Sequence, residues 1–252
     1  MAAKLYDLGL EDRDRVNSSF GGGLPKSSIG LIEGEHGAGK SVITQRFAYG
    51  LCETGTHVTY IASEETAQGF IDQMRSLDYD VVDHLLEEQM LFLHADVDTR
   101  DTFEEREGDG DSDQRELLDR LMRASVMWRS DVVLIDGFDE ILLHDPHYEE
   151  IQSRGEEDDI IQNLVTFFRR VTADGTTVIV TANPDSLSGQ ALRPIRNVAD
   201  IYVVLDQRSV GNEVRKQMVV KKFAGMGNQV DDNIGYTVQA GRGLTIVTRT
   251  VA

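Results

Sequence analysis

The sequence predicts an α/β fold: a mainly parallel central sheet flanked by helices, with an antiparallel extension at its C-terminal end. Three observations predict it. Short apolar runs alternate with segments of helical period, the β-α-β order that builds a parallel sheet. The runs Asp131–Asp136 and Thr176–Ala182 read as strands buried on both faces. After Ile201 the strands follow one another across turns, with no helix between them.

Taken in order, Ser28–Glu33 is the first sheet strand. Lys40–Glu53 is a helix, with Val42, Ile43, Phe47 and Leu51 at helical spacing. His57–Ala62 is β-rich. Thr66–Leu77 is helical, with Phe70, Ile71, Met74 and Leu77 on one face. Met90–Leu93 is a short strand, and Gln114–Arg129 an amphipathic helix. Strand Asp131–Asp136 leads to helix Asp158–Ala173, strand Thr176–Ala182 and strand Ile201–Leu205. Val214–Phe223, Tyr236–Gln239 and Leu244–Val247 complete the set as the antiparallel extension. The acid-rich stretches Asp96–Asp113 and His144–Asp159 read as solvated surface insertions. Asp109, Asp111 and Asp113 imitate a calcium loop, but Gln114 and Arg120 stand where its turn glycine and closing glutamate belong. His144 and His147 have no third ligand in the pattern and read as loop residues. No repeat or Pro/Gly/Ser-rich linker divides the chain, so residues 1–252 read as one domain.

Composition narrows the classes. Hydrophobic residues at 40% and charged residues at 27% exclude a mostly disordered chain. No run of about 18 apolar residues occurs, so no direct membrane insertion is expected. The polar N-terminal stretch lacks an apolar signal segment, which predicts a cytoplasmic protein. The single cysteine, Cys52, excludes an internal disulfide. Net charge is −19, with 6 Lys and 19 Arg against 44 acids. Such a surface repels nucleic-acid phosphates and anionic lipids. Acidity combined with scarce lysine resembles the proteins of salt-accumulating halophiles, where screening shortens to ~3 Å at 1 M salt.

The chemistry centres on Gly34-Glu35-His36-Gly37-Ala38-Gly39-Lys40-Ser41, a complete G-x-x-x-x-G-K-S between a strand and a helix. Glycines let the backbone curl so that N–H groups point at phosphate oxygens. The helix start adds its positive dipole end. Lys40 reaches the β- and γ-phosphates of a nucleotide, and Ser41 binds Mg²⁺. Asp136, closing an apolar strand, is the expected partner that holds Mg²⁺ through water. Glu64 and Glu65 follow strand His57–Ala62 on the sheet's ligand edge, where one carboxylate can polarise an attacking water. Ser63 with Glu64, Glu65 and Thr66 equally suits a helix N-terminus. Asn183 falls on the same edge, as a phosphate sensor or simply as an Asn-Pro turn.

These motifs, with Phe20-Gly21-Gly22-Gly23-Leu24-Pro25, Ser63-Glu64-Glu65-Thr66 and the strand-rich tail, resemble the KaiC-like branch of RecA-type P-loop ATPases. Within that branch, Leu31-Ile32-Glu33-Gly34, Lys40-Ser41-Val42 and Ala48-Tyr49-Gly50-Leu51 resemble the FlaH (ArlH) family, ATP-binding subunits of the archaeal flagellum (archaellum) motor. The resemblance implies a RecA-like fold, ATP and Mg²⁺ as ligands, and Glu64 and Glu65 as catalytic carboxylates. It also implies a homo-oligomeric ring docked on the hexameric motor ATPase and the membrane platform protein, at the cytosolic face of the motor. An acidic, haloarchaeal composition agrees with it. One departure stands out. Clock-type relatives carry Lys-x-Arg-Gly on a late strand, reaching the neighbouring subunit's nucleotide. Here the segment reads Lys221-Lys222-Phe223-Ala224-Gly225. Lys221 either keeps the trans contact or is plain strand-surface charge, and Phe223 stands in the arginine's place. Since a trans arginine is worth ~10³–10⁵ in rate, slow hydrolysis or ATP as a bound switch is implied.

Two other functions share the motifs. A RecA-type DNA-acting ATPase needs a basic path for the backbone, which a chain at −19 lacks outside Arg193/Arg196 and Arg215/Lys216/Lys221/Lys222. A KaiC-like autophosphorylating signalling ATPase is permitted by the double glutamate but has only one ATPase domain here. The expectation is therefore a nucleotide-gated motor subunit that binds no nucleic acid.

Overall fold

Buried, β-branched runs separated by amphipathic helices leave the chain one economical solution, a twisted sheet with its apolar faces covered on both sides. The computed structural model describes residues 4–95, 122–123, 125–145, 148, 157–187, 191–210, 213–224 and 232–247. The acidic stretch Asp96–Asp113, most of helix Gln114–Arg129 and His147 lie outside the described residues.

The strands are β1 (Leu5–Tyr6), β2 (Leu24–Pro25), β3 (Ile29–Gly34), β4 (Val58–Ala62), β5 (Met90–His94), β6 (Val132–Asp136), β7 (Thr177–Ala182), β8 (Ile201–Val210), β9 (Glu213–Phe223), β10 (Asn233–Gln239) and β11 (Gly243–Val247). Nine of them form one sheet in the order β11-β10-β9-β8-β3-β7-β6-β4-β5, and β1 and β2 pair separately. From β8 to β5 every pairing is parallel, whereas β9, β10 and β11 run antiparallel to their neighbours. The mainly parallel sheet and its antiparallel extension are thus as expected.

The described helices are α1 (Glu11–Asp14), α2 (Val16–Ser19), α3 (Lys40–Glu53), α4 (Ala67–Ser76), α5 (Val82–Leu86), α6 (Phe138–Leu143), α7 (Glu157–Ala173) and α8 (Arg193–Val198). Helix α3 has the bounds the apolar spacing predicts. At the end of the expected Gln114–Arg129 helix, Met127–Arg129 forms a 3₁₀ turn instead. Its Trp128 packs edge-on against Phe167, ring centroids 4.8 Å apart.

Strand alternation sorts the core into two layers. Ile32, Val132, Leu134 and Ile179 join α3, α4 and the N-terminal segment. Leu31, Val133, Ile135, Val178 and Val180 face α6, α7 and α8. The crossover after β3 therefore runs over one face, and those before and after β7 over the other. A crevice opens where the connections diverge, beyond the C-terminal ends of β3, β7 and β6.

The N-terminal segment is fastened to the P-loop helix by a buried ion pair. Arg46 of α3 and Asp14 are both fully buried. The guanidinium Nε and Nη2 donate to the Asp14 carboxylate, Nη1 donates to Leu8 O (2.7 Å) and Nη2 to Gly9 O (2.8 Å). Each guanidinium nitrogen and each carboxylate oxygen thus has a hydrogen-bond partner, as a desolvated pair requires. The close approach demands glycine at position 50, where a Cβ would stand 1.9 Å from Leu8 O.

Candidate functional site

Between the end of β3 at Gly34 and the start of α3 at Lys40, the chain turns through left-handed backbone at Gly37 (φ 77°) and Gly39 (φ 104°). L side chains resist that region, so the glycines are needed there. Ala38 N donates to Glu35 O (3.1 Å) and closes the turn. Glu35, His36 and Gly37 are exposed, while Ala38 is buried beneath them. Lys40 turns back across the loop, its Nζ donating to Gly34 O (2.9 Å) and Glu35 O (3.3 Å). The first N–H groups of α3 and the positive end of its dipole face the same space.

Two strands away in the sheet, β6 ends at Asp136, which is buried. Its Oδ1 accepts from Thr181 Oγ1 (2.8 Å) and its Oδ2 from Tyr60 Oη (3.0 Å). The Ser41 hydroxyl is a third partner. Burial raises the Asp136 pKa; these hydrogen bonds and the Lys40 charge act against that rise. A hydroxyl and a carboxylate meeting at the mouth of a glycine loop are the hard oxygen donors a small dication takes. The residues present therefore fit a phosphate-bound Mg²⁺.

Glu64 and Glu65 extend from the end of β4. Ser63, just before them, is buried, and its N–H donates to Asp136 O (3.2 Å), which ties the two strand ends together. Glu64 is exposed and Glu65 half-buried. Gln45 Nε2 of α3 donates to Glu65 Oε2 at 3.2 Å. Burial, with the negative charges of Asp136 and Glu64, pushes the Glu65 carboxyl up to about 7. Within the Ser63–Thr66 stretch that suits a helix cap, the capping residue is Thr66: its Oγ1 accepts from Gly69 N at 3.2 Å.

Glu64, Glu65, Lys40, Ser41, Asp136 and Asn183 all line one cleft of about 290 Å³. His36, Gly37 and Gly39 border it too. Asn183 makes the expected turn, its Oδ1 accepting from Asp185 N (3.1 Å), and the residue lines the cleft. Sequence reasoning missed several lining residues. Asp139 is buried in the cleft wall and accepts from the Asn183 backbone N–H; its spacing, three residues after Asp136, is the signal that points to it. Lys216 of β9 and Val238 of β10 had none. Thr181 and Tyr60 read only as strand residues, yet they orient Asp136. Lys221 is exposed in the half of β9 that pairs with the start of β8, away from this cleft. Phe223 packs on Phe20, ring centroids 5.9 Å apart. His144 ends α6, its Nδ1 paired with Glu140 O (2.8 Å). No described helix is long and apolar enough to cross a membrane.

A P-loop between a parallel strand and its helix, with a buried aspartate and paired glutamates on the same sheet edge, defines a RecA-like ATPase domain. The family model "ATPase: KaiC" matches residues 9–250, and the chain belongs to that family. It is 28% identical over 245 residues to the archaeal flagellar ATP-binding protein FlaH of Methanocaldococcus jannaschii, covering 95% of each chain. Against the FlaH of Methanococcus voltae it is 24% identical over 241 residues, covering 96% of each. The crystal structure of the flagellar accessory protein FlaH from M. jannaschii superposes with a TM-score of 0.82 at 27% identity, over 98% of this chain and 100% of that one.

Proposed function

We propose that this chain is an ATP-binding subunit of an archaellum motor. ATP occupancy would control assembly into a ring and docking to the hexameric motor ATPase and membrane platform at the cytosolic face, with weak or no intrinsic hydrolysis. The observation that carries the reading is the meeting of Lys40, Ser41 and Asp136 in one cleft. Full-length similarity to FlaH proteins supports the motor context.

In this reading the backbone from Gly34 to Ser41 cradles the phosphates and Lys40 neutralises the β and γ groups. Ser41 and Asp136 would hold Mg²⁺, Asp136 through water. When bound there, the ion would supply positive charge against the phosphates. Glu64, exposed at the cleft, is the carboxylate best placed to orient a water, while Glu65 is held by Gln45. Asn183 faces the phosphate end. Slow turnover is supported by Phe223, which occupies the arginine's place and is engaged with Phe20. The nucleic-acid alternative is weakened because Arg196, one of the few clustered bases, is engaged by Glu33 (Nη2–Oε2 2.9 Å), which also accepts from Tyr202 Oη.

The test is calorimetric titration of Mg·ATP into wild-type protein and a Lys40→Ala variant in multimolar KCl, with turnover measured alongside in a Glu64→Gln variant. Tight wild-type binding, lost in Lys40→Ala, with negligible turnover, is expected. No wild-type binding would sink the nucleotide reading. Brisk turnover lost in Glu64→Gln would keep the site and overturn the switch.

A further inference from the structure

The antiparallel extension reaches back to the glycine loop through two side chains to which the nucleotide reading gives no role. Lys216 of β9 and Tyr236 of β10 are direct cross-strand partners. Lys216 Nζ donates to Gly37 O at 2.8 Å, and Tyr236 Oη donates to Ala38 O at 2.6 Å. The two acceptors are successive carbonyls of the loop. When a loop turns its N–H groups toward an anion, its carbonyls face outward and have no ladder partner. Left to water, they impose no shape. Here they are held by donors on a separate, hydrogen-bonded part of the sheet.

The support is stiff. Tyr236 is buried, and it stands between Ile234 on its own strand and the paired β11, whose Leu244 is also buried. A Cβ on Gly39 would lie 3.5 Å from the Tyr236 hydroxyl, so the ring tip rests against the last loop glycine. The far end of the β10–β11 hairpin is fastened as well: Arg13 donates to Arg242 O (3.1 Å), and Leu244 N donates to Tyr79 Oη (2.9 Å).

We propose that Lys216 and Tyr236 are positioning residues that hold the loop in its phosphate-receiving curvature. The antiparallel extension is thereby coupled to occupancy of the cradle. The inference rests on the nucleotide reading and adds to it the part of the sheet that feels the ligand. A loop held ready loses less freedom on binding, so the clamp strengthens phosphate binding. By linkage, bound phosphate strengthens the clamp to the same extent.

The experiment titrates inorganic tripolyphosphate and ATP, each with Mg²⁺, into wild type, Tyr236→Phe, Lys216→Met and Lys216→Arg, and follows hydrogen exchange of β9 and β10. Tyr236→Phe removes one hydroxyl and no charge. It is expected to weaken both ligands by the same factor, about 3- to 10-fold for one hydrogen bond. It should also abolish most of the ligand-induced protection of β10. Lys216→Met should weaken both further, and Lys216→Arg should restore most of the loss. Lys216 is half-buried, so its variants test the idea even if Tyr236→Phe folds poorly. Unchanged affinity for both ligands with only a lower melting temperature would overturn the proposal and make the pair merely structural. A loss confined to ATP would overturn it too, by placing the effect at the nucleoside. Absence of wild-type binding would remove the nucleotide reading itself, a failure distinct from that of the clamp.

Discussion

Replacing Glu65 by glutamine should make the protein more stable at neutral pH and leave it unchanged in acid. The carboxyl rises from an ordinary 4.5 to about 7 because it is half-buried beside Asp136 and Glu64. The unfolded chain thus ionises Glu65 at lower pH than the native protein does. Between pH 4.5 and 7 the native state binds more protons, so stability falls as pH rises through that window. Above it the penalty is complete, and below it the penalty vanishes. A rise of this size corresponds to about 3 kcal/mol between the two protonation states. Solvent reaches the carboxylate, and screening reduces the figure to about 1–2 kcal/mol. Glutamine keeps an oxygen for Gln45 Nε2, which donates to Glu65 Oε2 at 3.2 Å, and carries no charge. Urea denaturation of both proteins at fixed salt, from pH 5 to pH 8.5, measures the difference. The gap should open from near zero to about 1–2 kcal/mol and level off above pH 7. A gap independent of pH, or one that closes as pH rises, would show that Glu65 is not held against its charge.

Three further perturbations follow from the packing. Arg46→Leu leaves Asp14 buried with its charge uncompensated and should cost about 3–5 kcal/mol, read as a shift in the urea midpoint. Gly50→Ala drives a methyl to 1.9 Å from Leu8 O and should cost about 3 kcal/mol or more, with earlier proteolytic cleavage ahead of β2. Thr181→Val removes the donor to Asp136 Oδ1 and the acceptor for Gly137 N (2.9 Å). It should lower stability by about 1–3 kcal/mol and reduce the Mg²⁺-dependent part of ATP affinity, measured by titration with and without EDTA.

The parts of the site legible in the sequence are those carried by local pattern. The Gly34–Ser41 loop declares itself because strand, glycines and helix are consecutive, and α3 has room for a full apolar period. Asp136 and the glutamate pair declare themselves because each closes an apolar strand. Helices α1, α2, α5, α6 and α8 span six residues or fewer, too short to repeat a 3.6-residue period, so the residue pattern does not announce them. Lys216 was hidden for a different reason. Which lysine of β9 meets the cleft is decided by the register of the hairpin, where Lys216 pairs with Gln207 and Phe223 with Ile201. A register irregularity at Tyr202/Val203 is not written in the alternation of residue types. The Asp14–Arg46 pair joins positions 32 residues apart and has no local signature.

The sheet order divides the chemistry on either side of β3. On one side β7, β6 and β4 bring Asn183, Asp136 and the Glu64–Glu65 pair to the edge; on the other β9 and β10 bring Lys216 and Val238. Charge follows the same division. Among the described residues, Glu64, Glu65, Asp136, Asp139 and Glu140 line the cleft against Lys40 and Lys216. Such a cleft repels a bare polyphosphate, and the chain's net charge of −19 adds long-range repulsion. Salt removes the long-range part, since charges beyond ~3 Å are screened at 1 M. The short-range part needs a dication beside Ser41 and Asp136, where oxygen donors already converge. In the proposed reading, such an acidic wall would favour the metal complex of a nucleotide over the free nucleotide. The same wall pushes the Glu65 carboxyl up to about 7, so filling the cradle changes the charge which that carboxyl faces. Lys216, engaged on the opposite wall by a loop carbonyl, links that event to the strands at the far edge of the sheet.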